Sequence, residues 1–128
     1  MDEKKTPEGK LTRGVRLLLA VMFVMTGAMK LFVPSLRDAF AGQLEATDLP
    51  LESFARLVVP YSEIALGALL ALGAFTRLAA AGITVLMAGA TYVHLVVRAP
   101  SLFPLQPSQP IVPVVVIVMC LHLLWRNR

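Results

Sequence analysis

Four long apolar blocks constrain the fold of this chain more than any other feature of its sequence. An α-helix rises about 1.5 Å per residue, so about 20 mostly apolar residues cross the hydrocarbon core of a bilayer. The chain is 57% hydrophobic and 16% charged, which is too apolar for an ordinary soluble domain. We therefore predict an all-α fold, an integral membrane bundle of four transmembrane helices. The apolar blocks are Leu17–Val33, Leu57–Phe75, Leu78–Val97 and Ile111–Trp125.

The predicted spans cover about residues 14–33, 55–75, 78–97 and 109–125, within a transmembrane domain of residues 13–128. Residues 1–12 are charged and contain Pro and Gly, which predicts a disordered cytoplasmic tail. A cleaved signal peptide is the alternative for the first block, because basic residues precede it. We interpret this block as a span, since no A-x-A cleavage site follows and three further blocks need a membrane.

The segment between the first two spans, SLRDAFAGQLEATDLP, predicts a short amphipathic helix at the outer membrane interface. Ser35 and Asp38 resemble a capping box, and Phe40 and Leu44 lie on one helix face. An ordinary loop is the alternative. Proline suits the first turn of a helix but disturbs its interior, so the second long helix is predicted to begin either near Leu51 or at Pro60.

The basic residues follow the pattern of a multi-pass membrane protein. Of the 12 lysines and arginines, five lie in the first sixteen residues, one is Arg77 and two lie at the C-terminus. If the chain crosses the membrane four times, these eight residues all lie on the same side. The positive-inside rule then puts both termini in the cytoplasm. This distribution indicates topology and argues against nucleic-acid binding. Cys120 is the single cysteine, so dithiol chemistry through the chain's own cysteines is excluded.

Three ionisable side chains lie in the outer half of the apolar blocks, namely Lys30, Glu63 and His94. A charge near the bilayer centre costs about 2.5–3.5 kcal/mol on insertion scales, so such residues usually have a role. Gly27 and Gly67 lie on the same helix faces as Lys30 and Glu63 and permit close helix packing. We predict that Glu63 points into the bundle with Lys30 as its countercharge.

Tyr61 and Thr91 complete the predicted polar pocket with these three residues. The alternatives are that Lys30 extends its ammonium to the headgroups, that its pairing with Glu63 only stabilises the bundle, and that His94 is a packing residue. No second metal-ligating residue lies at ligand spacing beside His94, so no metal site is predicted. No complete catalytic motif is visible, and the chain is not expected to be an enzyme on its own.

The chain also contains a series of short motifs in a fixed order, within GAMKLFVP, LPLESFARLVVPYSEIALGALLALGAFTRLAA and TVLMAGATYVH. The series is G-x-x-K-L, L-P, P-x-x-E, G-x-x-L-x-x-G-x-x-T-R and a final His. Over about residues 14–97 the chain thereby resembles the DoxX family of small bacterial membrane proteins. The fourth block lacks the glycine-rich stretch and S-x-D found in many relatives. The matching residues are Gly27, Lys30, Leu31, Leu49, Pro50, Pro60, Glu63, Gly67, Leu70, Gly73, Thr76, Arg77 and His94.

This resemblance implies a four-helix protein of the bacterial inner membrane, often associated with redox systems. The wider superfamily includes a thiosulfate:quinone oxidoreductase subunit and a maturation factor for an amine dehydrogenase. We therefore expect a small membrane subunit or accessory factor of a redox or oxidative-stress system. A quinone is the candidate ligand, and a redox enzyme subunit or a second copy of the chain is the candidate partner in the lipid bilayer. A homo-oligomeric small-solute transporter or exporter and a membrane anchor or assembly protein without a ligand are the alternatives.

Overall fold

The computed structural model of the protein describes residues 8–48, 50–97, 99–103, 106–107 and 109–126. These residues form five α-helices and one 3-10 turn, Pro100–Leu102, which confirms the all-α prediction. Of the predicted features, residues 1–7 of the tail and the motif residue Leu49 lie outside the described residues. The helices are α1, Lys10–Phe32; α2, Pro34–Thr47; α3, Glu52–Leu72; α4, Thr76–Val96; and α5, Ile111–Arg126.

The four longest helices alternate in direction along the chain. α3 and α4 are joined by a tight turn, in which Gly73 has a φ of 69° and Phe75 a φ of 53°. Glycine adopts this left-handed backbone without the steric cost of a Cβ, which explains how α3 ends there. The largest interfaces lie between α1 and α3 and between α4 and α5. The core consists of apolar side chains from these four helices, including Leu19, Leu70 and Ile83.

Two glycines bring the backbones of α1 and α3 together. A Cβ at Gly27 would lie 2.6 Å from the Pro60 carbonyl oxygen and 2.7 Å from Cγ1 of Ile64. A Cβ at Gly67 would lie 2.9 Å from the Val24 backbone nitrogen. Glycine at both positions therefore permits a helix contact that any larger residue would force apart.

At the end of the bundle away from Lys30 and Glu63, two arginines donate hydrogen bonds to the C-terminal turns of neighbouring helices. Arg16 of α1 donates to the Leu70 carbonyl at the end of α3, and Arg77 of α4 donates to the Leu124 carbonyl at the end of α5. Both carbonyls belong to the last turns of their helices, where the i+4 donors of the regular helix are running out; the Leu70 carbonyl also accepts from the Gly73 N–H at 3.1 Å. Arg16 also pairs with Glu8 at 2.8 Å. This hydrogen bond lowers the pKa of the Glu8 carboxyl below its ordinary value, although burial opposes the shift.

The start of α1 lies inside the segment predicted to be a tail. α1 begins at Lys10, and the hydroxyl of Thr12 is 3.1 Å from Nε2 of His122 near the end of α5. This contact gives the first turn a tertiary partner, which the composition of residues 1–12 does not indicate.

The other helix boundaries resolve two alternatives. A helix, not an ordinary loop, follows α1, and Pro34 occupies its first turn, where the missing N–H costs little. α3 begins at Glu52, so Pro60 lies inside the helix. Pro60 has no N–H for the Arg56 carbonyl; the residue is buried, and its carbonyl oxygen lies next to Gly27 of α1.

The outward helix faces carry large apolar side chains. Exposed examples are Leu18, Val21, Leu57, Val85 and Val118. α1, α3 and α4 are each long and apolar enough to cross a membrane, and α5 is a shorter apolar helix. Exposed apolar surface of this extent is unfavourable in water and favourable against lipid.

Candidate functional site

The Lys30–Glu63 ion pair lies beside Gly27, where the backbones of α1 and α3 pack closely together. Nζ of Lys30 is 2.9 Å from Oε2 of Glu63. The carboxylate is buried, with a side-chain exposure of 3%, whereas the Lys30 side chain is 25% exposed. Gly27, one turn before Lys30, makes this contact possible because a Cβ there would lie only 3.2 Å from Cβ of Glu63. The predicted countercharge of Glu63 is therefore its hydrogen-bonding partner in the structure.

The ion pair forms part of the wall of a cavity of about 350 Å³. Side chains from all five helices and from the segment before α5 line it. Most of them are apolar, including Met22, Phe23, Leu86 and Val116. The polar lining residues are Thr26, Lys30, Gln43, Glu63, His94 and Gln106. A mostly apolar cavity with a few polar groups at one end has the usual composition of a small-molecule site.

α2 covers the polar end of this cavity. The ring centroid of Phe40 is 4.6 Å from Nζ of Lys30, a cation–π distance. Gln43 donates a hydrogen bond from its side-chain amide to the carbonyl of Leu102, which ties α2 to the 3-10 turn. A second cavity of about 200 Å³ adjoins the first and shares Lys30, Phe40 and Gln43 with it. Lys30 thus lies between two apolar spaces.

His94 lies at the same end of the cavity, near the end of α4. Its ring is buried, and its centroid is 4.3 Å from that of Phe103 at an interplanar angle of 34°. Phe103 follows the 3-10 turn that holds Gln43. The structure therefore brings together Lys30, Glu63 and His94, which the sequence places at one depth.

The residues of this site that lie on α1, α3 and α4 fall within a match to a known protein family. The model of the DoxX family matches residues 12–95, more than half of the chain. The chain belongs to the DoxX family. Searches among curated proteins and among solved structures found no significant match. Family membership and the apolar helices together make it a membrane protein.

Eight of the residues that carry the DoxX resemblance form two groups in the structure. Gly27, Lys30, Pro60, Glu63 and His94 lie at or beside the cavity. Gly73, Thr76 and Arg77 form the turn between α3 and α4 at the opposite helix ends. The first group surrounds a space that could hold a ligand. The second group forms the end of α3 and the start of α4.

The remaining two residues of the predicted pocket do not line the cavity. Tyr61 is 57% exposed on the outside of α3. Thr91 donates its hydroxyl to the Met87 carbonyl at 2.8 Å, within its own helix. Their part in ligand binding stays a prediction. Among the described residues, no group of three or more His, Cys, Asp or Glu side chains could hold a metal ion.

Three residues beside Lys30 and His94 are not predicted as site residues from the sequence, namely Phe40, Gln43 and Phe103. The spacing of Phe40 and Leu44 does indicate an apolar face on α2. That pattern, however, is the same for a helix that covers a cavity and for one that lies on lipid. No sequence signal marks Phe103, because it lies in a proline-rich segment without periodicity.

Proposed function

We propose that this DoxX family protein is a small membrane subunit or accessory factor of a redox or oxidative-stress system, and that its cavity binds a quinone head group. The observation that carries the proposal is the buried Lys30–Glu63 pair in the wall of a mostly apolar cavity of about 350 Å³. An aromatic head group would bury its ring against the apolar lining. Its oxygen atoms would meet the polar groups at one end.

The same polar end offers groups suited to proton movement. Glu63 and His94 both line the cavity, and carboxylate and imidazole side chains are the usual proton carriers inside membrane proteins. In this proposal they accept or release protons when a bound quinone changes its redox state. A partner enzyme would supply the electrons when a quinone is reduced and accept them when a quinol is oxidised.

Purification of the tagged protein from its native membrane in mild detergent tests this function. We expect a redox enzyme subunit or an extractable quinone to co-purify in near-stoichiometric amount, as measured by mass spectrometry. Glu63→Gln and His94→Ala should lower the quinone content. Tyr92→Phe is the matched control, because it removes a hydroxyl two residues from His94 but outside the cavity lining. A homo-oligomer that carries bulk lipid alone would contradict the proposal and favour a transporter or an anchor.

We further propose that α5 is a fourth span and that both termini lie on the cytoplasmic side of a bacterial inner membrane. The 16 residues of α5 extend about 24 Å, which is short for a span, but Trp125 and Arg126 at its end suit the interface. In this arrangement α2 lies at the outer interface over the cavity. An alkaline phosphatase fused after Arg128 should be inactive and a fluorescent protein there should be fluorescent. The reverse result would contradict this topology.

A further inference from the structure

One carboxylate oxygen of the cavity-lining residue Glu63, Oε1, is buried and has no hydrogen-bond partner among the described residues. The other carboxylate oxygen, Oε2, accepts from Lys30, and the residue as a whole is 2% exposed. A buried carboxylate oxygen without a donor has lost its hydration and gained nothing in return. Because Glu63 lines the cavity, a molecule bound there can supply the missing donor.

The charges around this oxygen favour a neutral donor. Lys30 already balances the charge of Glu63 at 2.9 Å. Among the described residues, the other polar side chains of the lining are Thr26, Gln43, His94 and Gln106, and none of them carries a fixed charge. An anionic ligand would place a second negative charge beside a buried carboxylate, and a cationic one would compete with Lys30. A hydroxyl group donates a hydrogen bond without either cost.

The lining of the two cavities favours a ligand that is apolar apart from its hydrogen-bond donor. The larger cavity is lined mainly by Met, Phe, Leu and Val side chains, and its volume of about 350 Å³ accommodates a single substituted ring. The adjoining cavity of about 200 Å³ runs between α1 and α2 and is lined by Met29, Leu36 and Ala39 beside the residues that it shares with the first. It offers room for a hydrocarbon tail.

The geometry points to a ligand class for this site: a neutral, lipid-soluble phenol or alcohol whose hydroxyl donates to Oε1 of Glu63. For a quinone couple, this means that the site takes the reduced form, because a quinol has hydroxyl donors and a quinone has carbonyl acceptors alone. The inference rests on the cavity of the proposed function and specifies its ligand. It does not require that the protein take part in electron transfer.

A matched pair of probes tests the need for a donor. Para-decylphenol and para-decylanisole share ring, tail and oxygen, but the methyl ether has no hydroxyl hydrogen. We expect the phenol to bind the protein in lipid nanodiscs at least about tenfold more tightly than the ether, the ratio typical of a hydrogen bond to a charged group. Competition between the two, measured by native mass spectrometry and corrected for their partition into empty nanodiscs, gives this ratio.

Three variants identify the acceptor. Glu63→Met should abolish the preference for the phenol, and Tyr92→Phe, at a residue outside the cavity lining, should retain it. If Glu63→Met does not fold, Glu63→Gln supplies the comparison, and it should reduce the preference because a neutral amide oxygen is a weaker acceptor. Equal binding of phenol and ether to the unmodified protein, saturable binding of neither, or an unchanged preference in the Glu63 variants would each overturn the inference. Phenol selectivity in a protein that purifies without quinone or redox partner would support this ligand class and contradict the redox function.

Discussion

Replacing Lys30 with methionine is expected to lower the free energy of unfolding by about 3–5 kcal/mol, the usual effect of removing one partner from a buried ion pair. The substitution keeps an unbranched side chain of similar length but leaves the Glu63 carboxylate without its countercharge. Glu63 is 2% exposed and has no other hydrogen-bond partner among the described residues. Reversible unfolding in mixed micelles of a mild detergent and a denaturing one measures the change.

Glu63→Gln is expected to cost less, about 1 kcal/mol, although it breaks the same contact. The Lys30 side chain is 25% exposed and can extend its ammonium toward the interface when the carboxylate is lost. The predicted asymmetry follows from this difference in burial, and Tyr61→Phe serves as a control with little effect. A fully tolerated Lys30→Met would show that Glu63 does not need the ammonium, which contradicts the ion pair as the group that stabilises this contact.

Exchanging the two charges separates a structural role of the pair from a ligand-binding one. Lys30→Glu combined with Glu63→Lys restores opposite charges across the α1–α3 contact, so it should recover part of the stability that either single substitution loses. It also moves the ammonium to the buried position and the carboxylate to position 30, on the opposite side of the contact. Phenol binding should therefore remain lost in the double variant. Recovery of both properties would indicate that the pair acts as a structural contact.

The sequence predicts the main part of this site because the cost of charge in lipid leaves few interpretations for Lys30 and Glu63. Their shared depth and the small residues beside them predict that Glu63 points into the bundle with Lys30 as its countercharge, but not that the two side chains are in contact, as they are at 2.9 Å in the structure. The all-α fold follows from the apolar blocks in the same way. The depth of a residue in the membrane follows from its position along its own helix. It does not indicate how that helix is rotated about its axis, and therefore which residues face the cavity.

Rotation and tertiary contacts explain why the rest of the site was not predictable. Tyr61 precedes Glu63 by two residues, so about 200° of helix rotation separates them, and the tyrosine faces outward. Thr91 lies close to His94 on its helix, but its hydroxyl bonds to a backbone carbonyl of the same helix. The position of Phe40 over Lys30 depends on how α2 packs against the 3-10 turn. No local pattern encodes that contact.

Gly27→Ala is expected to lower the free energy of unfolding by about 1–3 kcal/mol, the range for overpacked helix contacts. The added Cβ would lie 2.6 Å from the Pro60 carbonyl oxygen, which belongs to the backbone and cannot rotate away. It would also lie 2.7 Å from Cγ1 of Ile64. α1 and α3 must therefore move apart where Lys30 meets Glu63. The same unfolding measurement in mixed micelles gives the loss of stability.

Gly14→Ala is the matched control, because Gly14 belongs to the same helix and nothing lies within 4 Å of its added Cβ. There the substitution should be neutral or stabilise by up to about 1 kcal/mol, since alanine restricts the unfolded chain. Gly27→Ala should in addition weaken phenol binding, because it displaces the carboxylate from the ammonium that orients it. If both glycine variants behaved alike, the close contact at Gly27 would not limit the approach of the two helices. Loss of stability at Gly27 with unchanged phenol binding would separate the packing of α1 against α3 from the geometry of the cavity.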